Sequence, residues 1–583
     1  MCFFLISAAV IVLYRSPAPG FLPSIYHGVP VLVWGCLAVA FGGLFVCSIY
    51  PTPFRYLAFG GGFMAVFVLF VLPYIRTGLP YGRGDVLAQL GTIRVLEATG
   101  SLDPGMLTYP FTHLGVVSIA AVTELPNSLV VTLYLPAIVS IYVAFIYLTS
   151  RLLSDHAAYG SIAVFLALLP MFNEYSSQLM PNGIAMYLFI PLVYVLARWV
   201  ATTDARWGIA VVTITVAMVI AHPLVGFLLI HVLLATTVLL YLAGLRSAAF
   251  VPLFSRQYLV EKYVFITLFF AFIYVEWYLS VTIIWQDFFE SIVQFVRGID
   301  QPVTRTAELG TRTEVLTPLE LLELLLLKFG GQLFVAILTA FGVALFVFRA
   351  FTSDRIAKRA VYLAPALLWL VFSAVYLFIG IVAPEATFPP LRFVAMVFAP
   401  APLFAGYFLY DRYRKHDKRV ILTLLVLLIV FLFTLQAASF YDGSHTTGAS
   451  GQQTDHELEG VEWALEYKDE DIAMLGFEPY RYEQSILGPE TVREDRRSEF
   501  PRDFERHGTL PGGLTTDEDV FITEELGEDR YVQISRADYI QGIQTRLTAE
   551  DEAQLAQETD RIYSNGQYRV YLTTTEQREF QER

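Results

Sequence analysis

The residues that invite chemistry sit in short polar stretches between long apolar ones. Tyr81-Gly82-Arg83-Gly84-Asp85 sets a carboxylate beside a guanidinium directly after an apolar run. Gly82 and Gly84 let the backbone turn tightly there. A carboxylate just outside a membrane helix can act on a substrate presented at the lipid interface; it can equally cap the helix expected over Val86 to Ala98. Asp103 precedes Pro104 and Gly105, where a turn accounts for an aspartate as well as a second acid does. His113 closes the run Tyr109-Pro110-Phe111-Thr112-His113. His222 stands at a turn between two short apolar runs, because Pro223 disfavours helix in the residue before it. Glu276 reads as a buried carboxylate about two helical turns below the surface, paired with an arginine or touching substrate. Glu174 lies in a turn, as a solvated residue or as a pocket wall. Arg392 opens an apolar run; a planar guanidinium there can hold a phosphate or snorkel to the interface as an anchor. Arg83 is a second such cation, or the partner of Asp85.

The elements that must position these groups are membrane helices. The 583 residues are 56% hydrophobic and 16% charged, where soluble chains are about 45–50% apolar and about 25% charged. That excludes a soluble globular enzyme. A formal charge of −14 excludes a generic nucleic-acid binder, which needs a basic face. Cys2, Cys36 and Cys47 all lie in apolar segments, so no disulfide framework or metal knuckle is expected. Residues 441–583 carry 14 Lys and Arg against 33 Asp and Glu, or −19, which leaves +5 for residues 1–440. The chain thus reads as two domains, a slightly basic membrane body (1–440) and a strongly acidic soluble tail (441–583). Only six of the 39 basic residues are lysine. An acidic, lysine-poor surface resembles that of proteins from salt-loving archaea, which its charge keeps soluble.

A bilayer needs about 20 apolar residues per helix. Thirteen spans fit, near 1–14, 30–49, 56–75, 129–149, 157–172, 183–199, 208–222, 223–243, 263–284, 331–350, 361–382, 391–410 and 420–438. A cleaved signal peptide is not expected, because no basic region precedes the first apolar run. Placing the arginine-rich loops 246–262, 349–359 and 412–419 in the cytoplasm puts Arg55, Arg151, Arg198 and Arg206 there too. The N-terminus is then cytoplasmic; the loops 15–29, 76–128, 285–330 and 383–390, with the tail, face outside. Phe111 to Leu125 is too short to span and reads as an interfacial helix. An amphipathic helix over 287–296 and a lid after Gly298 are expected in the second large loop. The tail reads as a small mixed α/β domain, for acceptor contact or solubility, with a helix near 460–467 and strands near 472–477, 531–536 and 568–573.

An outer loop after an early span, an acidic residue near its start, a helix, and then a proline-histidine segment leading into an interfacial helix resembles the GT-C glycosyltransferases. Asp85 stands at their acidic position, and Tyr109 to His113 stands where their His-Pro-Pro-like segment lies. The likeness runs over Tyr74 to Arg198, and beyond that only in architecture. It implies a polytopic α-helical membrane protein of about thirteen transmembrane helices, with a small C-terminal extracellular α/β domain. It further implies a cell-membrane enzyme of the protein-mannosyltransferase kind, moving a sugar from a polyprenyl or dolichyl phosphate carrier to a glycan, lipid or protein acceptor. In that family the loop carboxylate serves as general base, so Asp85 would be catalytic. Arg83, Asp103, His113, Glu174, His222, Glu276 and Arg392 would bind substrate. No cofactor is expected; some members use a divalent metal, which goes with denser acidic ligands than Asp85 and Asp103 offer. The hairpin-like ending Arg561 to Tyr571 resembles haloarchaeal envelope proteins. A transporter or flippase for lipid-linked saccharide is the competing class, with a non-catalytic envelope protein behind it. A transporter should show broken helices at matching places in two halves, and only His222-Pro223 shows such a break in the sequence.

Overall fold

The computed structural model describes residues 1–50, 52–101, 109–169, 174–202, 204–246, 253–281, 317–382, 390–443, 450–469, 472–476, 479–488, 497–499, 530–541, 544–545, 552–553, 556 and 559–573. The apolar runs form helices because a backbone surrounded by lipid must satisfy its polar groups within one segment. They are α1 (Cys2–Tyr14), α2 (Val31–Ile49), α3 (Arg55–Thr77), α4 (Asp85–Thr99), α5 (Pro110–Thr123), α6 (Asn127–Leu153), α7 (Ala157–Ala167), the one-turn α8 (Glu174–Ser177), α9 (Pro181–Ala201), α10 (Ala205–Ala221), α11 (Pro223–Arg246), α12 (Leu253–Ser280), α13 (Pro318–Thr352), α14 (Asp354–Val382), α15 (Pro390–Phe398), α16 (Ala401–Lys415) and α17 (Lys418–Ser439). Among the described residues nine helices are long and apolar enough to cross a membrane, and the bent pair α15–α16 makes a tenth. The other three expected spans are the shorter α1, α7 and α10. Helix α7 can be short because protein encloses it: every residue from Ala158 to Ala167 is buried.

Two features depart from the sequence reading. Helix α13 begins at Pro318, where a loop was expected up to residue 330; Thr317 and Glu320 form a reciprocal capping box that starts it early. The span expected at 391–410 is broken, with α15 and α16 meeting at 44°. The break falls at Pro400 and Pro402, which lack N–H donors and so leave carbonyls of the preceding turn without helical partners. Buried side chains answer them: Trp369 Nε1 donates to Met396 O at 2.8 Å and Tyr142 Oη to Ala399 O at 2.8 Å. The second half of the chain therefore does contain a broken helix, although His222-Pro223 separates two distinct helices rather than kinking one.

The basic loops gather at one end of the bundle. Asp411 pairs with Arg349 and with Lys415, and Arg359 pairs with Asp155 at 3.2 Å. At the other end sits the tail, with α18 (Asp455–Tyr467), α19 (Pro479–Leu487) and a five-stranded sheet. Its strands are β1 (Ala473–Gly476), β2 (Arg497–Glu499), β3 (Arg530–Ser535), β6 (Asp560–Ser564) and β7 (Tyr568–Thr573), in the order β2-β1-β3-β7-β6; β4 (Ile540–Gln541) and β5 (Gln544–Thr545) pair separately. β1 runs parallel to β2 and β3, whereas β3, β7 and β6 are antiparallel. The tail's first residues belong physically to the membrane body: Tyr441 is buried and its hydroxyl donates to Leu69 O at 2.6 Å. The helix expected over 287–296 and the lid beyond it lie outside the described residues.

Replacing Trp369 by Phe keeps the ring stacked on Phe189 but leaves Met396 O with only its 3.3 Å bond from Ala399 N–H. The expected loss is about 0.5–1.5 kcal/mol, read as a lowered unfolding midpoint of the purified protein in detergent.

Candidate functional site

The loop after α3 is held down before it reaches Asp85. Arg76, at the end of α3, is buried and donates from Nε to Ser16 O at 2.9 Å and from Nη1 to Ile25 O. The chain then turns through Gly84 at φ 60°, ψ −118°, a backbone that a side chain would strain. Gly84, not Asp85, is the residue that flanks α4, and no side-chain capping bond forms. Asp85 is the first residue inside the helix. Its carboxylate is 60% exposed and pairs with Arg481 of α19 at 3.2 Å.

Arg83 turns the other way. Its Nη2 reaches the buried Glu457 carboxylate and the Tyr482 hydroxyl at 2.6 Å, and its guanidinium lies 5.4 Å from the ring centres of Phe21 and Tyr482. Burial, the largest single effect, favours losing its proton, but the charges and hydrogen bonds of Glu457, Tyr482 and Asp538 together outweigh it and hold Arg83 protonated. Arg83 therefore fastens the loop to the tail and does not partner Asp85. Around it, Gly82 N–H donates to Gly451 O at 2.8 Å and Gln453 Nε2 donates to Gly82 O. Leu87 packs with Val461, Tyr482 and Tyr568. At Gly91 a Cβ would lie 1.8 Å from Gln484 O, so only glycine lets α4 press so closely on α19.

Below Asp85 the polar groups run neighbour to neighbour. Gln89 lies one turn on, on the same face of α4, and its Oε1 accepts a hydrogen bond from His113 Nε2 across to α5. That fixes the proton on Nε2 and leaves Nδ1, buried, with no partner among the described residues. Burial lowers the His113 pKa to about 4. Tyr109, just before α5, stacks on His222 with ring centres 5.3 Å apart and planes within 10°. His222 Nδ1 accepts from Leu224 N–H at 3.2 Å, so its proton sits on Nε2. Burial, and then the charge of Arg392, lower its pKa to about 3. Two tyrosines of α12 clamp this turn, Tyr278 donating to Val219 O at 2.7 Å and Tyr274 to Pro223 O at 3.2 Å.

The structure thus strings Asp85, Gln89, His113, Tyr109, His222 and Arg392 along one seam. It does not bring Glu276 there. Expected to be buried, Glu276 is exposed, because it is two residues from both Tyr274 and Tyr278 and hence lies on the opposite side of α12. Glu174 is the first residue of α8, and its side chain lies outside the described set; Asp103 lies outside it altogether. No group of three His, Cys, Asp or Glu side chains among the described residues could hold a metal ion. Gln89, Tyr109, Arg481, Tyr274 and Tyr278 escaped the sequence reading. Two had a signal: Gln89 is four residues after Asp85, and Tyr109 opens the segment already singled out.

No family model matches the sequence, and no curated protein matches it. Solved structures do. The oligosaccharyltransferase of Archaeoglobus fulgidus, tethered to an acceptor peptide containing the NVT sequon, has a TM-score of 0.50 at 12% identity, over 90% of this chain and 74% of that one. The chain has the GT-C membrane fold. ArnT from Cupriavidus metallidurans bound to undecaprenyl phosphate has a TM-score of 0.49 at 12% identity, over 90% of this chain and 99% of that one.

A His113 pKa held below its unfolded value means that the unfolded chain binds the extra proton first as pH falls. Relative to His113→Gln, wild type should keep its full stability above about pH 6.5 and lose it as pH falls toward 4, by at most about 1.4 kcal/mol per pH unit. Paired thermal-unfolding series across that window measure the difference.

Proposed function

We propose that this chain is a membrane glycosyltransferase, moving a sugar from a polyprenyl or dolichyl phosphate carrier to an acceptor at the outer face of the cell membrane. The placement of Asp85 carries the reading. Within a GT-C fold, the loop after α3 presents an exposed carboxylate at the junction of membrane body and tail, touched by one arginine from the tail. An acceptor that displaces Arg481 would lose its proton to Asp85, directly or through one water. The acceptor atom then bonds to the anomeric carbon as the bond from that carbon to the carrier phosphate breaks. The departing phosphate needs positive partners and hydrogen-bond donors. Arg392 supplies the charge, and the neutral His222 offers its Nε2–H beside it.

The remaining candidates have supporting parts. His113 offers an acceptor at Nδ1 to a sugar hydroxyl, and Asp103 and Glu174 remain substrate-binding candidates by sequence alone. The oligosaccharyltransferase whose fold is shared was captured with an acceptor peptide, which favours a protein acceptor over a lipid. Clustering of the arginine-rich loops opposite the tail supports a cytoplasmic N-terminus and an extracellular tail. The lysine-poor acidity of that tail supports a salt-loving archaeal source.

Asp85→Asn preserves size and removes the base, so transfer should fall by about 10²–10⁴-fold. Glycan analysis of surface proteins from cells carrying the correctly inserted variant measures it. An unchanged glycan profile would remove Asp85 from the chemistry.

A further inference from the structure

A groove of about 500 Å³ opens on the flank of the bundle, between α3 and α6 and away from the candidate site. Tyr56, Phe59, Gly60, Phe63, Ser140 and Tyr147 line it, so most of its wall is aromatic and apolar. Tyr56 to Phe63 spans about 10 Å of helix, long enough to lie against a stretch of hydrocarbon. Gly60 gives the groove its depth: a Cβ there would meet nothing within 4 Å.

One end of this groove is charged. Arg55 precedes Tyr56, and Arg151 lies one turn beyond Tyr147 on α6. Arg55, Arg151, Arg414 and Lys418 all bear on His156, in the turn between α6 and α7; its pKa is lowered first by burial and then by their charge. Nearby carboxylates are already engaged. Asp155 pairs with Arg359 at 3.2 Å, and Asp417 accepts from the N–H groups of Arg419 and Val420 at the start of α17. Arg55 is fixed by Ser48 O at 2.8 Å and Tyr50 O at 2.9 Å. Arg414 and Lys418 are exposed. An apolar trough that ends in surplus positive charge complements a molecule with a hydrocarbon chain and an anionic head.

We propose that the groove holds one anionic membrane lipid in the leaflet away from the tail, its chain against Phe59, Gly60 and Phe63 and its phosphate-class headgroup at Arg151, Arg414 and Lys418. This site is separate from the one that contains Asp85 and Arg392, and it does not depend on the transferase reading. The lipid would fill the gap between α3 and α6 and tie their basic ends together.

Native mass spectrometry of the purified full chain, given phosphatidylglycerol and phosphatidylcholine with identical chains, tests this. Wild type should retain one phosphatidylglycerol with about tenfold preference, the scale of one or two Lys or Arg contacts with an anionic lipid. Gly60→Leu fills the trough and should abolish that retention. Ala144→Leu, on the facing wall, is the second variant should the first fail to fold. Arg151→Gln should keep chain binding and bring the two lipids close to parity. Equal retention of both lipids by wild type, or selectivity surviving both filling variants, would overturn the proposal.

Discussion

The buried ion pair of Arg83 and Glu457 is the contact on which the tail-bearing end of the molecule turns. Glu457 is only 1% exposed, and the 374 residues that separate the partners include most of the membrane body. Removing one partner of a buried pair strands the other and costs about 3–5 kcal/mol. Such a pair therefore acts as a register pin more than a source of net stability. By fixing Arg83 to the tail, it directs the next polar residue but one, Asp85, to the opposite side of the turn. By fixing α18 it also fixes its neighbour α19, which carries Arg481 to the Asp85 carboxylate. The tail is accordingly no appendage: it helps to shape the surroundings of the exposed Asp85 carboxylate.

The membrane imposes a second constraint, with consequences at the far end of the seam. A helix interrupted in an apolar surrounding must have its freed carbonyls satisfied by side chains. Trp369 and Tyr142 do this for the break between α15 and α16. The bend separates α15, which carries Arg392, from the direction of α16. The guanidinium is thereby placed where its charge reaches His222. The packing that supports the carbonyls of this break therefore borders the segment that carries the cation.

What could be read in the sequence follows from where each signal is stored. Apolar runs are local and long, so all thirteen helices were visible, as were α4, α5 and the strands around Tyr531 and Tyr568. Averaging over a run hides its punctuation: Pro400 and Pro402 were in plain view, yet their segment reads as one span. The start of α13 was hidden in the same way, since its glutamates resemble a loop until Thr317 and Glu320 are recognised as a capping pair. Glu276 was misplaced because an apolar neighbourhood was taken for burial, when helical phase decides which side a residue faces. The Arg83–Glu457 pair could not be read at all, because nothing in either stretch names the other. The seam was half legible: its charged ends were conspicuous by type, whereas Gln89 and Tyr109 are ordinary residues that matter by position.

The proposed base and the proposed cation belong to different parts of the fold. Asp85 belongs to the loop held by the tail, Arg392 to the bent span. Between them run two bridges, the Gln89–His113 hydrogen bond joining α4 to α5 and the Tyr109–His222 stack joining α5 to the turn before α11. Both histidines are held neutral by burial, so neither bridge varies with charge across ordinary pH. Helix α5, too short to span and lying between the two bodies, is the element that sets their separation. Under the proposed transferase reading, a substrate held at both ends must match that separation, so the span of the seam would limit what the site accepts.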